Sequence, residues 1–154
     1  MRDDLPLAIT LEVRDRCLCL QAHRAARVLA RKFDEALRPF GLTNGQYSLM
    51  ISLNRPDAPR IGEVAHFLAM DRTTLTANMK PLVQRKLITV SVDKRDRRSR
   101  RLALTDRGRD LLVAAVPVWR ATHDDVDGAL DKFSPLQLRE GLAALVLASQ
   151  PEQP

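Results

Sequence analysis

Apolar residues recur at helical spacing from about Thr10 to Phe40, at Leu18, Ala22, Ala25, Leu29, Phe33 and Leu37, with arginines between them. This spacing lays one apolar stripe along one face and predicts a single long helix ending near Pro39–Gly41. Thr43, followed three residues later by Gln46, has the form of a capping box and predicts a second helix to about Leu53. The stretch "NRPDAP" carries two prolines and an aspartate and reads as a loop. Beyond it, Ile61, Val64, Ala65 and Leu68 form the inner stripe of a short helix. Asp71 can cap the next one, whose inner positions are Leu75, Met79 and Leu82. Only Ala69 and Met70 are left to turn between the two, which predicts a helix-turn-helix.

After Leu87 the period changes from 3.6 to 2. "ITVSV" and "RRLAL" alternate as strands do, and the segment between them, "DKRDRRS", is the tip of a β-hairpin. Thr105 closes the second strand and opens a long helix through Leu111, Leu112, Ala115, Val118 and Trp119 to about Leu130. Ser134, Pro135 and Gln137 supply a cap, a proline at the first helical position and a capping-box partner for a last helix through Leu138, Leu142, Leu145 and Val146. The expected fold is mainly α with a small β-hairpin wing. Residues 41–105 form a winged helix-turn-helix, 1–40 and 106–150 form helical extensions, and 151–154 are a disordered tail.

Charge sharpens this picture. The chain has 154 residues and a net charge of +6, and a sequence pI near 10.0. Between Lys94 and Arg101 stand six basic residues and one acid. The segment after Ala121 is acidic, with Asp124, Asp125, Asp127, Asp131, Glu140 and Glu152 against Lys132 and Arg139. Positive charge is thus concentrated at the hairpin tip beside the helix-turn-helix, as a polyanionic partner requires. A recognition helix starting at Asp71 would turn Arg72, Thr73, Thr74, Thr76 and Lys80 toward the major groove of double-stranded DNA. Threonine can give or take a hydrogen bond and offers a methyl to thymine, and Arg72 can pair with guanine or phosphate. The alternative for Thr73 and Thr74 is that they only satisfy the helix N-terminus. Arginines on a narrow ribbon, here Arg95, Arg97 and Arg98, fit the minor groove and release counterions from phosphates.

The segment "VDKRDRRSRRLALTDRG" resembles the wing signature of the MarR family of regulators: an aspartate, any residue, an arginine, a variable stretch, then Leu-Thr-x-x-Gly. These positions are Asp96, Arg98, Leu104, Thr105 and Gly108. The similarity spans about Leu18 to Leu147. It implies a homodimer whose first helix and last two helices pack across a two-fold axis, a pseudo-palindromic operator, Arg98 in the minor groove and Asp96 bracing it. It also implies release from DNA by a small-molecule effector or by oxidation of a cysteine, with repression as the commoner outcome. Two positions depart from the family pattern. Pro81 lies inside the recognition helix, where it removes a donor and should kink or loosen the turn around Ala77. Lys86 stands where many relatives have glycine.

Counting back from Thr43, Cys19 falls where organic-peroxide-sensing relatives carry their reactive cysteine. On one continuous helix it would have His23 at i+4 and Arg16 at i−3, positive neighbours that favour a thiolate. The tyrosines that accompany that cysteine in those relatives appear here as His23 and Phe33. The competing reading is that cysteine is a common small buried residue, with Cys17 and Leu20 simply joining the dimer core. His66 and His123 share no helix with each other or with a cysteine at ligand spacing, so neither a metal nor another cofactor is expected.

The absence of a signal-like N-terminus predicts a cytoplasmic protein with reduced thiols. No apolar run approaches the ~20 residues that span a bilayer, so no membrane partner is expected. No Gly-rich phosphate loop or nucleophile elbow points to an enzyme. The remaining rival is a winged-helix module for non-specific nucleic-acid or protein docking without effector response.

Overall fold

A computed structural model describes residues 4–149. Seven α-helices and one antiparallel hairpin are present among the described residues: α1 (Leu7–Arg16), α2 (Leu18–Leu37), α3 (Asn44–Ser52), α4 (Ile61–Phe67), α5 (Arg72–Gln84), β1 (Ile88–Val92), β2 (Arg100–Leu104), α6 (Asp106–Gly128) and α7 (Pro135–Ser149). The expected tail at 151–154 lies outside the described residues. None of the described helices is long and apolar enough to cross a membrane.

The expected single helix over residues 10–40 is two helices and a 3-10 turn. The chain leaves the helical region at Cys17 (φ −78°, ψ 100°), whose Sγ accepts the Leu20 N–H at 3.4 Å and so caps α2. The reason lies in the pattern upstream. Leu7, Ile9, Leu11 and Val13 alternate with period two, so no continuous stripe joins them to the one that begins at Leu18. At its other end α2 gives way to a 3-10 turn over Arg38–Phe40, stopped by Gly41 at φ +64°.

The helix starts follow their caps. Thr43 and Gln46 form a reciprocal capping box at α3, Asp71 accepts the Thr74 N–H at 2.8 Å, and Thr105 accepts the Gly108 N–H at 3.0 Å. Ser134 accepts the Gln137 N–H at 3.3 Å and starts α7. Ala69 makes the tight turn between α4 and α5 at φ +48°. Pro81 neither ends nor divides α5, which continues to Gln84 with Leu75, Met79 and Leu82 all buried. Burial of that stripe outweighs the one donor that proline removes.

The core joins Leu37, Leu42, Tyr47, Leu49 and Met50 to Val64, Leu75, Leu82, Ile88, Leu102 and Leu112. Ile88 pairs with Leu104 and Val92 with Arg100, which fixes the hairpin register. The other edge of β2 is tied to the segment before α4 by the bond from Leu102 N–H to the Pro59 carbonyl, 3.0 Å. The wing is therefore anchored to the helix-turn-helix on two sides. By contrast, α1 buries none of its residues, and Leu136, Leu138, Leu142, Leu145, Val146 and Leu147 of α7 are all exposed in the single chain.

Candidate nucleic-acid interface

The outward face of α5 carries Arg72, Thr73, Thr74, Thr76 and Lys80, all exposed. Two of the threonine hydroxyls have internal work. Thr74 Oγ1 donates to Asp71 Oδ2 at 2.7 Å, and Thr76 Oγ1 donates to the Arg72 carbonyl at 2.7 Å. Their methyls and oxygen lone pairs remain at the surface, while their protons are committed. The two bonds from Thr74, backbone first, hold the Asp71 carboxyl below the usual carboxylate range and keep the cap ionised.

The wing tip is built around two aspartates with different jobs. Asp96 accepts from Ser99 Oγ at 2.7 Å and from the Arg98 N–H at 3.0 Å. It therefore fastens the backbone beneath Arg98, and these bonds lower its carboxyl pKa. The side chains of Arg95, Arg97 and Arg98 stay exposed.

Asp93 was not singled out from the sequence, where an acid at the edge of a basic run reads as solvated. Its side chain is only 1% exposed. It accepts from the Arg95 N–H at 2.9 Å, from Arg60 Nε at 2.8 Å and from Arg101 Nη2 at 2.9 Å. Those contacts, led by the Arg95 amide and the Arg60 guanidinium, hold its carboxyl far below the usual carboxylate range. Asp93 thus pins the wing to Arg60, the residue that precedes α4. The one available sequence signal was its place directly after β1, where the alternation ends.

Arg72 at the start of α5 and Arg98 and Arg100 of the wing line one concavity with Arg60 and His66. The recognition helix and wing tip are therefore neighbours, as reading adjacent grooves requires.

At the N-terminal end, Cys19 is exposed and Cys17 half-buried. Cys19 Sγ lies 3.8 Å from His23 Nδ1. Arg16 is not the expected neighbour of Cys19. It belongs to α1, across the break at Cys17, and pairs with Glu12.

A second cavity, of about 420 Å³, opens between α3, α4 and α6 and includes Tyr47, Ile51, Phe67, Trp119 and Arg120 in its wall. Trp119 is half-buried against the core and also lines this cavity. It stacks on Tyr47 at 6.0 Å and meets His123 at 4.3 Å, and His123 in turn meets Phe33 of α2 at 4.6 Å.

Helices, hairpin and basic face together define a winged helix-turn-helix protein. The MarR family model matches residues 42–99. The activatory protein BadR of Rhodopseudomonas palustris is 30% identical over 115 residues, a match covering 72% of this chain and 66% of BadR. The transcriptional regulator MosR of M. tuberculosis, solved in complex with DNA, is 34% identical with a TM-score of 0.78, covering 87% of this chain and 96% of that one. The DNA complex of S. aureus MepR, 21% identical with a TM-score of 0.73 over 85% of this chain and 97% of that one, shares the fold. The chain belongs to the MarR family, whose members are DNA-binding transcription regulators rather than enzymes.

Proposed function

We propose that this protein is a homodimer that binds a pseudo-palindromic operator, with α5 of each subunit in a major groove and each wing in the adjacent minor groove. Arg72, Thr73, Thr74, Thr76 and Lys80 act in the first, and Arg95, Arg97 and Arg98, with Asp96 as brace, in the second. The observation that carries this reading is the shared concavity of Arg72 and Arg98. The dimer reading is supported by the exposed apolar side chains of α1 and α7, an area that a second copy would cover. Residues 1–40 and 106–150 form the dimerisation region, and 41–105 bind DNA.

Light scattering of the free protein and of its complex with a duplex from its own upstream region tests the assembly. The expected result is a dimer in both. A monomer would favour the docking-module reading. Repression by occupancy is the direction we propose, so loss of the protein should raise transcription of the genes it controls. A fall would align it with BadR, which is named as an activator.

The effector of this reading is a small aromatic carboxylate held in the Trp119 cavity, its ring against Tyr47 and Trp119 and its charge on Arg120. Benzoate-type acids titrated into the DNA complex should release it, and R120Q should lose that response while retaining DNA binding.

A second reading, oxidation at Cys19, rests on the neighbouring His23. C19S should bind DNA as wild type does and resist release by organic hydroperoxide. Equal sensitivity in C19S removes this reading.

A further inference from the structure

The concavity between the start of α5 and the wing has a volume of about 630 Å³, and Arg60, Arg72, Arg98 and Arg100 line it against a single acid, Glu63. Glu63 is itself engaged, accepting the Arg60 backbone N–H at 2.8 Å. A helix in a major groove and a wing in the neighbouring minor groove must straddle the phosphodiester strand that separates the two grooves. The space between them is where that strand passes.

Arg60 differs from the other three arginines in being held from behind by a buried carboxylate. Its Nε is bonded at 2.8 Å to Asp93, whose side chain is 1% exposed, while the Arg60 side chain remains 41% exposed. A buried carboxylate gripping one edge of a guanidinium fixes the fork and lowers the entropy lost when it meets an anion.

We infer that this notch seats a phosphate of the strand between the two grooves, with Arg60 and Arg100 as its contacts and Asp93 as the residue that positions Arg60. The inference rests on the DNA-binding reading above. It adds Arg60, Arg100 and Asp93 to the interface, none of which the recognition-helix and wing-tip arginines imply.

The test is fluorescence anisotropy at several salt concentrations, against both the upstream-region duplex and a random duplex of equal length. Each phosphate contact contributes about 0.9 to the slope of log K against log salt. R60Q and R100Q should each lower that slope by about this amount on both duplexes alike, because a phosphate contact carries no sequence information. D93N should lose a similar increment, and D93N/R60Q no more than R60Q alone, which a purely structural role for Asp93 would not produce. Should R60Q fold poorly, R100Q decides the matter, since among the described residues the Arg100 guanidinium bonds only to the Arg97 and Ser99 carbonyls. Wild-type slopes in R60Q and R100Q would overturn the inference while leaving the regulator reading intact. A wild-type protein with no salt-dependent binding would overturn both.

Discussion

Gly108 lies so close to Leu87 that a Cβ built on it would stand 2.1 Å from the Leu87 carbonyl oxygen. The same carbonyl accepts the Thr105 N–H at 3.1 Å, and the Thr105 hydroxyl lies within reach of the Lys86 and Leu87 carbonyls, at 2.8 and 3.1 Å. The Leu-Thr-x-x-Gly motif is thus a lock that docks the start of α6 against the start of β1. G108A should therefore destabilise the protein by about 1–3 kcal/mol despite alanine's better helix propensity. Urea denaturation checks this, and a stability equal to wild type would mean that the backbone yields without cost.

Lys86 occupies the left-handed region at φ +56°. Its N–H reaches the Val83 carbonyl at 2.9 Å, and the Leu87 N–H reaches Leu82 at 2.9 Å, which together end α5 in a Schellman motif. That conformation is why glycine suits this position, and lysine adopts it at a cost. K86G should stabilise the fold by about 0.5–1 kcal/mol, after subtracting the extra freedom of glycine in the unfolded chain. A raised urea midpoint at unchanged slope would bear this out.

Much of this fold is legible in the sequence because its signals are local. The period-2 runs mark both strands, and Thr43, Asp71, Thr105 and Ser134 mark helix starts through bonds made within three residues. The break at Cys17 is marked in the sequence only by the lapse of the helical stripe upstream of Leu18, because the sulfur cap that makes it has no composition signal of its own. Asp93 escaped such reading because its partner Arg60 lies 33 residues away, and only the folded chain brings the two together. The recognition-helix residues could be placed by spacing alone. The commitment of the Thr74 and Thr76 protons to internal acceptors could not.

Asp93 also sets a pH dependence. Its carboxyl pKa is depressed in the folded state, so the stability it contributes is fully present above the ordinary carboxylate range. That contribution is lost as pH falls below about 4 toward the folded value. Wild type should lose more melting temperature between pH 5 and pH 3 than D93N, which lacks the titrating group. Parallel losses in the two proteins would show that the clamp contributes nothing through its charge.

Arg98 stands on a backbone held by Asp96, with its side chain exposed at the wing tip. R98A should weaken binding to specific and random duplexes and lower the salt slope, because it removes the groove and phosphate contact proposed for Arg98. Unchanged affinity and slope would mean that the wing does not touch DNA.

The central claim, that this protein reads a particular DNA sequence, is tested most directly by anisotropy titration of the purified protein against its own upstream intergenic duplex and a random duplex at one salt concentration. The account predicts affinity for the upstream duplex at least about 10³-fold tighter, the low end for specific recognition. Equal affinity for the two duplexes would contradict it.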